Sequence, residues 1–139
     1  MIAVDSSIVV DLLGGAARAD AAEEALRTAL TLGPVVVCDV VVAEVVAGLG
    51  YGSDFVETLE TAGVRFSATE LRSSVRAGEM QRRYRQRTHG SAHPATQRAV
   101  PDFLIGAHAL MQCEALITRD EGFYRDYFKG LRVIAPGRH

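Results

Sequence analysis

A helix followed directly by a strand, in residues 100–120, constrains the fold of this chain more than any other segment. Pro101 suits a first helical turn, and apolar residues from 103 to 111 leave this helix almost no polar face, so we expect it to be buried. The helix rises about 1.5 Å per residue and the following strand about 3.3 Å, so the chain travels roughly 17 Å away from Asp102 and roughly 20 Å back to Asp120. Both carboxylates should therefore lie at one rim.

Short apolar segments alternate with helical segments along the whole chain. Strands are predicted at residues 1–4, 35–38, 64–66, 115–118 and 131–134, with helices between them. This alternation is typical of a parallel sheet covered by helices on both faces. The chain has 139 residues, 48% of them hydrophobic, and no internal repeat or linker. We therefore predict the α/β class, with a short parallel sheet of about five strands, in a single domain of residues 1–139.

Small polar residues mark where several helices begin. Ser6 or Ser7 can cap the first helix, and Asp39 can cap the helix after the second strand. Ser67 and Glu70 form a capping-box pattern that opens the longest helix. Asp11 is predicted to be a surface residue.

Four acidic residues are predicted to converge at the carboxyl ends of the strands. Asp5 follows the first strand, Asp120 follows the fourth, and Glu44 and Asp102 lie in early helical turns at the same end. Open parallel sheets bind their ligands just outside the carboxyl ends of the strands. Alone, each of the three aspartates could instead stabilise a helix start, whereas Glu44 among valines is harder to explain structurally.

Four negative charges at one rim predict a divalent cation, since like charges held close together oppose folding unless a cation or hydrogen-bond donors lie between them. No Cys or His cluster accompanies the acids, and oxygen-only ligation favours Mg²⁺ or Mn²⁺. Such an ion supports in-line displacement at a phosphate. Ser6 and Thr118 flank the acids and could orient a ligand or water, or serve only as a cap and a strand hydroxyl.

A basic helix complements this acidic rim. The net charge is −2, but residues 76–98 contain six arginines against Glu79 alone, a local balance of +5 that leaves −7 elsewhere. Arginines that bind phosphates hold a nucleic acid in register without reading its bases. We predict RNA contacts from this helix, and an ordinary solvated face is the alternative. The predicted RNA-binding residues are Arg82, Arg83, Arg85 and Arg87.

The remaining residue types favour packing over chemistry. Cys38 and Cys113 are isolated among apolar residues, and we expect both in the core. His89, His93 and His108 have no partner at ligand spacing, so they are predicted to be surface or satisfied core residues. Helical spacing favours core packing for Tyr84, Phe123, Tyr124 and Phe128, with base stacking as the alternative. No apolar run approaches the length of a membrane span and the N-terminus lacks a basic flank, so we expect a soluble cytoplasmic protein with no membrane contact.

Three motifs in this order resemble a known family. The chain opens with VDSSIVVDLL, continues with VVVAEVVAGL and closes with PDFLIGAHALMQCEALITRDEGF. The first resembles a hydrophobic-Asp-Ser/Thr-x-hydrophobic motif, the second a helix that carries an acid, and the third an Asp-helix-strand-Thr-x-Asp block. Together they resemble the PIN-domain nucleases and, among them, the VapC-type toxins of bacterial toxin–antitoxin pairs.

The resemblance implies a function for the chain. It implies metal-binding or catalytic roles for Asp5, Glu44, Asp102 and Asp120, with Thr118 as a supporting hydroxyl. It also implies a Mg²⁺- or Mn²⁺-dependent endoribonuclease that acts as a homodimer and is inhibited by a cognate antitoxin, whose tail occupies the groove.

Two other functions are compatible with parts of the sequence. A non-catalytic RNA-binding or regulatory module with a PIN-like fold would need the arginines and not the acids. A phosphoacceptor receiver domain would need an acid pair after the first strand, but Asp5 has no acidic neighbour, and the only lysine is Lys129.

Overall fold

The computed structural model describes residues 1–15, 17–50, 52–88 and 99–137. Strands and helices alternate over much of this part of the chain, as the sequence predicts. The elements are β1 (Ile2–Val4), α1 (Ser6–Gly14), α2 (Ala19–Leu32), β2 (Val35–Val37), α3 (Asp39–Leu49), α4 (Gly52–Ala62), β3 (Arg65–Phe66), α5 (Leu71–Thr88), α6 (Val100–Gln112), β4 (Ala115–Ile117), α7 (Glu121–Tyr127) and β5 (Arg132–Ile134).

The strands of the described residues form one five-stranded sheet in the order β3-β2-β1-β4-β5, and every pair is parallel. The α/β prediction is confirmed. From β1, the strands β2 and β3 follow in order toward one edge of the sheet, whereas β4 and β5 lie on the other side of β1. The order therefore changes direction between β1 and β4, which is where open α/β sheets form a ligand-binding crevice.

Burial follows the position of each strand in the sheet. All residues of β1, β2 and β4, the three central strands, are buried, which suits their apolar sequences. The edge strand β3 contains Arg65 and Phe66, both exposed, and is one residue shorter than predicted. The core is thus concentrated around β1, whose carboxyl end leads into Asp5.

Helices α5 and α6 pack against each other in opposite directions. Near the end of α5, the rings of Tyr84 and Phe103 lie 5.5 Å apart, while near its start the Ser73 hydroxyl donates to Gln112 Oε1 at 2.7 Å. The arginine-bearing end of α5 therefore lies beside the beginning of α6, where Asp102 is located. Aromatic packing of Tyr84, Phe123, Tyr124 and Phe128 is confirmed, and a side chain at Gly106 would overlap the Phe128 ring.

Three predicted helix caps are wrong. Asp39 is the first residue of α3 rather than the residue before it, and its Oδ1 accepts from Thr69 instead. The Asp5 carboxylate, rather than Ser6 or Ser7, accepts the hydrogen bond at the start of α1. The Ser67 hydroxyl pairs with His108 Nε2 at 3.0 Å, and the Glu70 amide donates to Gln112 Oε1 at 2.9 Å, so long-range partners replace the local capping box.

Several smaller predictions have mixed outcomes. Cys38 is buried, but Cys113 is only half-buried. His108 is a buried residue with a hydrogen-bond partner, and burial lowers its pKa. His89, His93 and Arg98 lie outside the described residues. Among the described residues, no helix combines the length and apolar character needed to cross a bilayer.

Candidate acidic site at the carboxyl end of the sheet

Asp5 is fixed at the end of β1 by hydrogen bonds from three directions. Its backbone N–H donates to the Ile117 carbonyl at 3.0 Å, which joins the ends of β1 and β4. Its Oδ1 accepts from the Ser6 amide at 2.8 Å, and its Oδ2 accepts from the Thr118 hydroxyl at 2.6 Å and the Ser7 hydroxyl at 3.0 Å. Because the residue is only 5% exposed, this carboxylate has little freedom to move.

These hydrogen bonds do not fully compensate the buried charge of Asp5. Burial raises the pKa of the Asp5 carboxyl, and the negative charge of Asp120 raises it further. The bonds from Thr118, Ser7 and the Ser6 amide act in the opposite direction, but the pKa remains above its ordinary value. A positive partner would therefore stabilise the ionised form of Asp5.

Thr118 links two of the predicted acids. Its side chain is completely buried, and its single hydroxyl proton is donated to Asp5. The same oxygen accepts the Asp120 amide N–H at 3.0 Å. The hydroxyl thus fixes the distance between the end of β1 and the turn that carries Asp120, which matches the supporting position predicted for Thr118.

Glu44 reaches the site from α3 through Ser6. The Ser6 hydroxyl donates to Glu44 Oε1 at 3.1 Å and approaches Asp5 Oδ1 at 3.4 Å. Burial, followed by the charges of Asp102 and Asp5, raises the pKa of Glu44. The side chain is nevertheless exposed, although it is flanked by apolar residues in the sequence.

An open groove of about 450 Å³ joins most of these residues. Asp102, in the first turn of α6, lies on its wall. Tyr124 is buried, and its burial, followed by the charges of the four predicted acids, raises its hydroxyl pKa. The groove is lined by Asp5, Ser6, Ser7, Val10, Asp102, Arg119 and Asp120.

Comparison with known proteins identifies the family of this fold. The PIN domain family matches residues 2–129, which is nearly the whole chain. The chain belongs to the PIN domain family. No curated protein matches its sequence significantly.

Solved structures of low sequence identity share the PIN fold over their full length. VapBC2 from Rickettsia felis, bound to a DNA fragment from its promoter, has a TM-score of 0.73 at 17% identity, covering 98% of this chain and 99% of the other. VapBC-1 from nontypeable Haemophilus influenzae has a TM-score of 0.68 at 16% identity, covering 97% and 98%. Mycobacterium tuberculosis VapC20, described as a sarcin-ricin loop cleaving toxin, has a TM-score of 0.62 at 18% identity, covering 95% and 99%.

The donor set of this PIN domain fits a hard divalent cation in chemistry. The side chains of the groove that could bind a cation offer only carboxylate and hydroxyl oxygens, and a cation would lower the raised pKa values of Asp5 and of the nearby Glu44. In the described residues, no three Asp, Glu, His or Cys side chains already form a group able to hold a metal ion. Mg²⁺ usually keeps several waters and uses only one or two carboxylates directly, so outer carboxylates can act through those waters.

The predicted RNA-binding arginines lie outside the groove but at the same end of the domain. All four are exposed on the last turns of α5. Arg87 lies over the Tyr127 ring, with its guanidinium carbon 5.3 Å from the ring centre, and Arg85 donates to Gln81 at 3.5 Å. The residues concerned are Arg82, Arg83, Arg85 and Arg87.

Three residues of the groove region are missed by the sequence interpretation. Ser7 donates to Asp5, and Arg119 forms an ion pair with Asp11 at 2.6 Å. Asp11 is only 8% exposed, so its prediction as a surface residue is wrong. Helical spacing could have indicated two of them, because Ser7 and Asp11 are four residues apart and therefore lie on the same face of α1, next to Asp5.

Proposed function

We propose that this PIN domain is a Mg²⁺- or Mn²⁺-dependent endoribonuclease and the toxin of a VapC-type toxin–antitoxin pair, acting in the cytoplasm. The observation that supports the proposal is the groove at the carboxyl ends of β1 and β4, which is lined by Asp5, Asp102 and Asp120 and to which the Ser6 hydroxyl links Glu44. Their charges act on one another and on Tyr124, and the pKa values of Asp5 and Glu44 are raised. Such perturbed carboxylates in a groove are characteristic of a functional site.

The proposed chemistry divides the work among these residues. Asp5 is the fixed metal ligand, because its position is determined by Ser6, Ser7 and Thr118. Asp102 and Asp120, on the groove wall, contact the ion directly or through its waters. A bound Mg²⁺ or Mn²⁺ acidifies water and neutralises charge on the scissile phosphate.

Ser6 and Glu44 complete the proposed site from the α3 side. The Ser6 hydroxyl orients Glu44 toward the groove, and the raised pKa of Glu44 makes it better suited to accept a proton than an ordinary exposed glutamate. Thr118 acts by fixing Asp5 and the backbone of Asp120 rather than by touching the substrate.

The structural neighbours support the toxin assignment. Two of them are toxin–antitoxin complexes and one is a toxin that cleaves the sarcin-ricin loop, and each matches this chain over nearly its full length. We propose by the same likeness that a cognate antitoxin binds this chain and that the toxin acts as a homodimer. The exposed arginines of α5 provide the phosphate contacts that an RNA substrate needs.

A non-catalytic RNA-binding module would use the arginines equally well. It would leave unexplained why Asp5 is buried at an energetic cost beside Asp120, since an RNA-binding surface gains nothing from negative charges in its groove.

Purified, antitoxin-free protein should cleave structured RNA in the presence of Mg²⁺ or Mn²⁺. Asp102→Asn and Asp120→Asn are isosteric changes on the groove wall, and each should reduce the cleavage rate at least about a hundredfold, since even outer-shell changes at metal sites cost about 10–100-fold. Rates are measured from the appearance of new RNA ends, which also identify the sites that are cut.

The control is Asp54→Asn, which removes an equal charge from the first turn of α4, outside the groove. Cleavage that survives in both groove variants would remove the acids from the mechanism. Binding without cleavage by the wild-type protein would support the non-catalytic module. In that case, changing Arg82, Arg83 and Arg85 together to Ala should still weaken binding and its salt dependence.

A further inference from the structure

Arg119 is a basic residue in a groove that is otherwise lined by acidic, hydroxyl and apolar side chains. It lies between Thr118 and Asp120, and its backbone N–H approaches the Ser7 hydroxyl at 3.4 Å. Among the described residues that line the groove, Arg119 is the only one with a positive charge.

A buried acid holds the Arg119 side chain in place. Asp11, on α1, is 8% exposed, and its Oδ2 accepts a hydrogen bond from Arg119 Nε at 2.6 Å. Asp11 lies one helical turn beyond Ser7, so the arginine side chain runs along α1 from the end of β4. The two residues are 108 positions apart in the sequence, and their contact connects α1 to the segment that carries Asp120.

The geometry of this pair leaves most of the guanidinium available. Only Nε is hydrogen-bonded within the described part of the chain, and the side chain remains 38% exposed. An ion pair that served stability alone would gain more from the two-nitrogen fork by which Arg binds a carboxylate. Here the Nη groups, which form the part of the fork suited to a phosphate, remain for a ligand.

Electrostatics explains why the groove needs such a group. The carboxylates of Asp5, Asp102 and Asp120 in the groove repel the phosphodiester backbone, and a metal ion compensates this repulsion most strongly for the phosphate that it contacts. The neighbouring phosphates must still cross the acidic groove. A guanidinium at its wall would attract one of them.

We propose that Arg119 binds a phosphate of the RNA next to the scissile one, and that Asp11 is the positioning residue that orients it. This inference rests on the proposed nuclease function, but it concerns substrate binding rather than the chemical step. Arg119 would set the register of the RNA on the metal site, so it should affect the KM more than the kcat.

Binding and cleavage are measured separately to test this proposal. The probe is a random-sequence single-stranded RNA of about 20 nucleotides, whose binding is followed by fluorescence anisotropy in Ca²⁺ at several salt concentrations. Arg119→Gln should weaken binding about tenfold, and the slope of log affinity against log salt should decrease by about 0.7, the value for one phosphate contact on a single strand. In Mg²⁺ or Mn²⁺, its KM should rise by a similar factor while its kcat changes little.

Matched variants separate phosphate binding from general charge and from stability. Arg27→Gln removes the same charge from another ion-paired arginine, on α2 and outside the groove, and should leave the affinity and the salt slope unchanged. Arg119→Lys keeps the charge and should retain the slope, with only part of the affinity because the fork is lost. Asp11→Asn should weaken binding in the same direction as Arg119→Gln.

The results distinguish this inference from the proposed function. An Arg119→Gln protein with the wild-type KM and salt slope would overturn the inference, as would equal losses in Arg27→Gln. If the wild-type protein binds RNA without cleaving it, the nuclease proposal fails, but a smaller slope in Arg119→Gln still supports a phosphate site. Thermal melting of each variant shows whether a binding loss reflects a loss of folding.

Discussion

Asp5 and Asp39 follow neighbouring parallel strands, yet their environments have opposite effects on their charge. Asp39 comes after β2 and is exposed, and its Oδ1 accepts from both the Thr69 amide at 3.0 Å and the Thr69 hydroxyl at 2.5 Å. Partial burial alone would raise the pKa of Asp39, but the hydrogen bonds lower it. Asp5 accepts more hydrogen bonds, but its burial and the nearby Asp120 keep its pKa raised.

The difference separates a structural acid from a candidate functional one. Asp39 connects the start of α3 to the loop after β3, and its charge is already satisfied by Thr69. Asp5 retains an electrostatic cost in the folded protein, and proteins accept such costs mainly at sites that bind or catalyse. An aspartate at the end of a strand is thus not necessarily a functional one. The candidate site is identified by an aspartate whose burial raises the pKa more than its hydrogen-bond donors lower it.

The largest expected effect is on catalysis. Asp5→Asn should reduce RNA cleavage at least about a hundredfold, because it removes the charge of the best-fixed predicted ligand, whereas Asp39→Asn should change the rate by about twofold or less. Cleavage assays at matched protein concentration measure both, and circular dichroism verifies folding. Equal losses in the two variants would remove the distinction drawn between these aspartates.

A smaller effect is expected on stability. A cation that binds only the folded acidic groove should stabilise the protein by about 2.7 kcal/mol at a concentration 100 times its Kd. Thermal melting with EDTA, Mg²⁺ or Mn²⁺ measures this gain, which Asp39→Asn should retain and Asp102→Asn should largely lose. An unchanged melting temperature with either ion, or the same gain in all three proteins, would argue against a metal site at these acids.

The sequence was sufficient to predict the fold and the proximity of Asp5 to Asp120. Alternating apolar segments and helices are local patterns, and a parallel sheet brings the ends of β1 and β4 to one edge whatever lies between them. Asp5 and Asp120 could therefore be placed together without knowledge of any side-chain contact.

The partners that adjust these charges could not be predicted. Thr69 donates to Asp39, 30 residues away in the sequence, and Ser67 pairs with His108 rather than with its own helix. Arg119 donates to Asp11, 108 residues away. Each choice depends on tertiary distances that no periodicity encodes. Local rules accordingly assigned Ser67 and Asp39 to caps, and Asp11 to the surface.

The smallest expected effect is a difference in pH dependence, measured by melting in EDTA. A carboxyl whose pKa is raised by folding stabilises the protein below its ordinary pKa, 3.8 for Asp5, and this contribution is lost as pH rises through the raised value. For Asp39, whose pKa is lowered, the contribution is present above 3.8 and is lost only in stronger acid. Relative to wild type, Asp5→Asn should therefore gain a few degrees in melting temperature as pH rises above 3.8, while the difference for Asp39→Asn should be nearly constant above 6.5, where His108 is neutral.

Comparison with wild type at each pH is needed because His108 also titrates in this range. Burial lowers its pKa, so its contribution to stability is present above its ordinary value of 6.5 and is lost as pH falls. The charge of Asp39 raises the pKa of His108, so this contribution cancels for Asp5→Asn but not for Asp39→Asn, whose difference is therefore read above pH 6.5. If the difference in melting temperature between Asp5→Asn and wild type stayed flat or fell with increasing pH, the buried charge of Asp5 would not destabilise the protein. Asp5 and Asp39 would then differ in burial but not in the energetic cost of their charges.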